Sequence, residues 1–187
     1  MELFKKSIKF IVLFILMFSF SFSAFAENMP IPTKIQSVMI LKILAYDKNL
    51  PSRVGGDVKI GIFNTGSSAS IKVKNSIMSE LNALSSQKIS GLSFSVVEIS
   101  SVSALSSVDV IYVTPDSSGV LSSIRSVAQS SNKITITGVP EYVRHGNVSI
   151  AIDSRDNKPK ILVNLDVANA EGSDFSSKLL SLSEVIK

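Results

Sequence analysis

The stretch "DVKIGIFNTGSSAS", residues 57–70, decides the fold. Val58, Ile60 and Ile62 alternate onto one side and Phe63 closes the run, so a period of two predicts a strand over 57–63. "NTGSSAS" (64–70) then punctuates the chain. Ile71, Val73, Ile77, Met78, Leu81 and Leu84 come next at helical spacing and predict a helix over roughly 68–87. A strand passed through a short polar loop into a long helix is the first half of a β-α-β unit.

The rhythm recurs downstream. "LSFSVVEI" (92–99) predicts a second strand, "SVSAL" (101–105) a short helix or turn, and "VDVIYVT" (108–114) a third strand. The third is apolar nearly throughout, as a central strand covered on both faces is. A helix is predicted over 117–131, through Val120, Leu121, Ile124, Val127 and Ala128, before a fourth strand, "KITITG" (133–138). Strands alternating with helical spacers imply a parallel sheet with right-handed crossovers. Then the pattern changes. "NVSIAID" (147–153) and "KPKILVNL" (158–165) are separated only by "SRDN", a connection short enough for antiparallel pairing alone. "DFSSKLLSLSEVI" (174–186) predicts a closing helix, capped by Asp174 or Ser173, with Phe175, Leu179, Leu180, Leu182, Val185 and Ile186 as its apolar face. The expected fold class is α/β: a mostly parallel sheet flanked by helices, a Rossmann-like sandwich, with a C-terminal antiparallel hairpin and a closing helix.

Upstream, "MPIPT" (29–33) is a stiff extended lead-in, and Thr33 can cap the element after it. Residues 34–46 predict a helix whose buried face carries Ile35, Val38, Met39, Leu41, Ile43, Leu44 and Ala45. Lys34, Gln36, Ser37 and Lys42 are expected opposite, and Pro51 is expected to end the element. "KILAYDKNLPSR" (42–53) places a tyrosine, a carboxylate and a guanidinium close together, as catalytic machinery does. No histidine, cysteine or metal constellation completes such a set. The expected reading is a hinge, with the Tyr46 ring packed and its hydroxyl at the rim, and Asp47 paired with Arg53 across the turn.

The first 26 residues read as a cleaved signal peptide. Lys5, Lys6 and Lys9 precede the apolar run "FIVLFILMFSFSF" (10–22), and Ala24-Phe25-Ala26 is a cleavage site. The apolar run is shorter than the roughly 20 residues of a spanning helix. Residues 27–187 are then one domain, exported to the periplasm. The chain carries 19 basic and 15 acidic residues; without the three leader lysines and Glu2, 16 and 14 remain. So small an excess, with no basic run of four, excludes a nucleic-acid partner. With no cysteine there is no disulfide, thiolate metal site or iron–sulfur cluster. Serine is abundant, at 35 of 187 residues, but it interrupts amphipathic patterns without abolishing them and reads as surface and loop filler.

No catalytic residue, metal ligand or cofactor is expected. His145 is the single histidine, in "EYVRHGN" before the hairpin, with no G-x-S-x-G elbow to accompany it. The carboxylates do not pair: Asp57 and Asp109 sit near strand starts, and Asp153 and Asp156 flank a turn. "DSRDN" lacks the glycine and closing glutamate of a calcium loop. Two binding surfaces stay open. Asn64, Gly66, Ser67 and Ser68 lie between the first strand and its helix, where doubly wound folds hold anions and small ligands, although no phosphate-binding motif is present. Ile35, Met39 and Tyr46 on the first helix, with Phe175, Leu179 and Leu182 on the last, could face a partner or a second copy; the alternative is that both helices simply cover the sheet.

Taken in order, a leader, "ILAYDKNLPSRVGGDVKIGIF", "VDVIYV" and "HGNVSIAIDSRDNKPKILVNLDVANAEGSDFSSKLLSLSEVI" make a chain that resembles the YfiR-like family of small periplasmic proteins. The resemblance spans nearly all of 27–187. It is most specific in the last forty residues, at Gly146, Val163-Asn164-Leu165, Ala168 to Gly172, and Phe175-Ser176-Ser177-Lys178-Leu179-Leu180. It implies an α/β sandwich that tends to form a homodimer and is not an enzyme. It also implies binding to the periplasmic sensor domain of an inner-membrane signalling protein, a diguanylate cyclase in the best-known cases. That binding holds the cyclase off and lowers cyclic-di-GMP and biofilm formation. Disulfides found in some members have no counterpart here.

Overall fold

The computed structural model describes residues 29–187, so the leader expected over 1–26 lies outside the described residues. Alternating and continuous apolar runs become strands, and the helical repeats between them become helices. In chain order these are α1 (Thr33–Leu44), α2 (Leu50–Arg53), β1 (Val58–Phe63), α3 (Ser68–Ala83) and β2 (Phe94–Ile99). A 3-10 segment (Val102–Ser107) leads to β3 (Val110–Val113), α4 (Leu121–Ser130), β4 (Ile134–Thr137) and α5 (Pro140–Arg144). The chain ends with β5 (Ile150–Arg155), β6 (Lys158–Asn164), α6 (Leu165–Ala170), α7 (Ser177–Leu182) and β7 (Ser183–Ile186).

The strands form one sheet in the order β2-β1-β3-β4-β5-β6-β7. β1 to β5 run parallel, β6 returns antiparallel to β5, and β7 pairs parallel with β6. The α/β class and the mostly parallel sheet are as expected. β3 is central and buried at all four positions, as its composition requires. Each face has its own core. Val58, Ile60, Ile62, Val110, Tyr112 and Ile136 pack under α1, α3 and α7. Phe63, Ile111, Val113, Ala151 and Leu162 pack under the 3-10 segment, α4 and α5. Gly61 lets β1 approach the second layer: a Cβ there would lie 2.8 Å from Val108 Cγ2.

Four expectations need correction. First, α1 does not turn Gln36 and Ser37 to solvent: both are fully buried, while Ile35 is 42% exposed. Gln36 is held by partners invisible in its own helix. Its Nε2 donates to Ile31 O at 2.7 Å, and its Oε1 accepts from the Tyr112 hydroxyl at 2.8 Å. Second, α1 stops at Leu44, and Pro51 opens the short α2 rather than ending α1. The intervening turn is held by Asp47, whose Oδ1 accepts from Asn49 N. Third, α3 ends at Ala83, short of 87.

The last correction is the closing helix. Only Ser177–Leu182 is helical, capped by Ser176, whose Oγ accepts from Leu179 N; Ser183–Ile186 is a strand. "SEVI" alternates as well as it coils, and the open edge of β6 supplies a backbone partner for it. The hairpin is therefore internal, and β7 is the sheet edge opposite β2.

Candidate functional site

The order β2-β1-β3 reverses the chain's progress at β1/β3, the crevice where doubly wound sheets hold ligands. Here the two loops bordering it are hydrogen-bonded shut. Ser70 Oγ and Thr114 Oγ1 are 2.6 Å apart, and Thr114 Oγ1 donates to Phe63 O. Asn64 is buried; its Nδ2 donates to Glu98 and Ile99 O, and its Oδ1 accepts from Gly66 N. Ser67 caps α3, accepting from Ser70 N, and donates to Asp116 Oδ2 at 2.6 Å. A carboxylate at this helix start opposes anion binding. Of the four expected loop residues, Gly66 turns the chain at φ 84°, Ser68 is exposed, and none lines the neighbouring cavity. That cavity, of about 370 Å³, is bounded instead by Met29, Thr33, Lys72, Val73, Pro115 and Asp116 among others.

Tyr46, Asp47 and Arg53 come together with the C-terminal segment, not with a catalytic partner. Arg53 Nη2 meets Asp47 Oδ2 at 2.5 Å, as expected from sequence. Arg53 Nη1 donates to Glu171 O at 2.8 Å, Lys48 N to Asp174 O at 2.9 Å, and Ser176 N to Tyr46 O at 3.0 Å. Asp174 N completes the clasp on Asp47 Oδ1. Tyr46 is half-buried, with Lys178 Nζ 5.8 Å from its ring centre.

Glu171 escaped sequence reasoning altogether. It is fully buried, and burial raises its carboxyl to about 7 against the hydrogen bonds from Thr135 and Ser149. Its only sequence signal is its place in the Ala168 to Gly172 stretch; nothing local marks an acidic residue at a helix end as buried.

The candidate partner residues divide. Leu182 is 56% exposed, Ile35 is exposed, and Met39 is half-buried. Phe175, bridged to Asp47 just before α7, and Leu179, on the inner side of α7, are both buried in the core. Val185 on the β7 edge is a further exposed apolar residue.

His145 is exposed at the end of α5. Asp153 pairs with Arg144, and Asp156 and Asn157 take positive φ in the hairpin turn, so "DSRDN" is a turn. Among the described residues no group of three or more His, Cys, Asp or Glu could hold a metal ion, and no helix is long and apolar enough to cross a membrane.

No curated protein matches the chain. Two solved structures share its fold. One is the ABC domain in complex with L-Trp from Streptococcus pneumonia, 16% identical, with a TM-score of 0.55; it covers 83% of this chain and 60% of its own. The other is a conserved domain protein from Vibrio cholerae, 13% identical, with the same TM-score and coverage. The chain thus spans about 60% of the length of each. The family model described as YfiR/HmsC-like matches residues 33–184, from the first residue of α1 to the middle of β7. The chain belongs to the YfiR/HmsC-like family.

Proposed function

We propose that this protein is a non-enzymatic periplasmic regulator that acts by stoichiometric binding. Its partner is the periplasmic sensor domain of an inner-membrane signalling protein, a diguanylate cyclase by family resemblance, and binding lowers cyclic-di-GMP. Such a switch needs only a difference in affinity for two states of the partner. The observation that carries this reading is the family match across the whole described fold. The β7 edge supports it, with Leu182 56% and Val185 39% exposed beside an outer strand. A strand edge with apolar side chains can accept a partner's strand or a second copy, giving a homodimer. The test is crosslinking from the native envelope, together with cyclic-di-GMP measured after deletion. Capture of a membrane sensor and a rise in cyclic-di-GMP support it; neither appearing sinks it.

The cavity beside α3 favours a second reading, a small-ligand-binding protein, since its volume suits a small molecule. The ligand would lie against α3 and Pro115 rather than in the 64–68 loop. A solute that raises the melting temperature, with the shift abolished by Val73→Trp, supports it; a response unchanged in that variant refutes it.

A further inference from the structure

Glu171 closes α6 with its carboxyl turned into the sheet. Oε2 accepts from Thr135 N at 2.9 Å, and Oε1 accepts from Thr135 Oγ1 at 2.6 Å. β4 and β5 share only the pairs Ile136–Ile150 and Thr137–Ala151. One residue earlier, the Thr135 amide bonds this carboxyl, while Ser149 N donates to Thr135 Oγ1 at 2.9 Å and Ser149 Oγ to Thr135 O at 2.7 Å. A side chain from the C-terminal region is thus wedged into the β4–β5 seam.

None of these donors carries a charge. The neighbouring guanidinium, Arg53, draws the carboxyl's pKa down, but less than burial raises it; it is itself engaged by the Asp47 carboxylate and by the backbone carbonyl of Glu171. The other charges around the clasp are paired elsewhere: Lys48 with Asp174 at the surface, and Lys133, just before β4, with Asp109. Ser149, just before β5, faces the Glu171 carboxyl there. The network also accommodates either state of the carboxyl. Ionised, Glu171 accepts the Thr135 hydroxyl proton. Neutral, it donates to Thr135 Oγ1, and the threonine proton turns to Ser149 Oγ, 3.3 Å away.

The residues just after Glu171 form the clasp on the α1–α2 turn, and α7 and β7 hang from it. We propose that Glu171 is a protonatable latch: the neutral carboxyl holds the 171–176 clasp and α7–β7 closed, and the ionised carboxylate lets that segment open more readily. Burial places the transition near neutrality, at about 7. In the open segment the carboxyl reaches solvent and titrates at its ordinary value, so opening becomes easier as pH rises between the two values. The consequence for a partner on the β7 edge rests on the proposed function; the latch itself does not.

The test is hydrogen exchange on the chain lacking its leader, from pH 5.5 to 8 and corrected for intrinsic rates, with carbon-13 titration of the glutamate carboxyls. Peptides within 171–187 should be less protected than β1 and β3 at every pH, and their protection should fall about tenfold or more across the range. Glu171→Gln should abolish most of that dependence. A segment exchanging only with the core, an unchanged pH response in the variant, or a Glu171 carboxyl titrating near its ordinary value would overturn the latch. If the variant does not fold, the wild-type titration decides. A working latch with no captured partner would count against the proposed function alone.

Discussion

Arg53 and Asp47 meet in the interior: the Asp47 side chain is fully buried, that of Arg53 is 17% exposed, and Nη2 lies 2.5 Å from Oδ2. The pair joins the exit of α1 to the C-terminal segment, because Asp47 also accepts from Asp174 N and Arg53 also reaches Glu171 O. Removing the cation strands a buried carboxylate. Arg53→Met should therefore lower stability by about 3 kcal/mol or more in urea unfolding. Arg53→Lys should recover only part, since one ammonium cannot reproduce the fork.

Stability should fall as pH rises from about 4.5 to about 7. Glu171 binds its proton more tightly folded than unfolded, so its contribution is complete below 4.5 and lost as pH passes about 7. At about 1.4 kcal/mol per pH unit, the loss is on the order of 3–4 kcal/mol. Glu98, held down chiefly by its hydrogen bond from Lys74, acts with opposite sign and only below 4.5. Urea midpoints at pH 5, 6, 7 and 8 should show the slope, and Glu171→Gln should flatten it.

Gln36 and Tyr112 form a buried polar pair under α1. Gln36→Leu leaves the Tyr112 hydroxyl and Ile31 O without this partner and should cost about 2–3 kcal/mol. Tyr112→Phe leaves Gln36 its second bond and should cost about 1 kcal/mol. The double variant should cost less than the sum, as a double-mutant cycle would show.

Leu182 and Leu179 separate surface from core. Leu182→Asp should leave the melting temperature within a degree or two of wild type while abolishing capture of the sensor partner. Leu179→Ala, in the core, should cost about 2–4 kcal/mol. Loss of capture in Leu179→Ala alone would place the docking surface elsewhere.

Gly61→Ala would set a Cβ 2.8 Å from Val108 Cγ2 and 3.1 Å from Ile99 Cγ1, inside the second core. Both neighbours are buried and have little room to retreat. A loss of about 1–3 kcal/mol in chemical unfolding is expected.

Local sequence alone determined the first six strands, the existence of the long helices, the parallel sense of β1 to β4 and the turn at "DSRDN". A period of two or 3.6 is set by which side chains face a core, and that is readable within one element. The Asp47–Arg53 pair was legible for the same reason, being six residues apart across one turn. Tertiary structure decided the rest. Gln36 is buried because Tyr112 lies opposite it, 76 residues away in the chain. Ser183–Ile186 is a strand because β6 has an open edge. Phe175 is drawn inward by its bridge to Asp47, and Leu179 packs into the core beside it, both contacts with distant parts of the chain. Glu171 tolerates burial because Thr135 and Ser149 leave a gap in the β4–β5 ladder, a gap created only when the sheet closes around it.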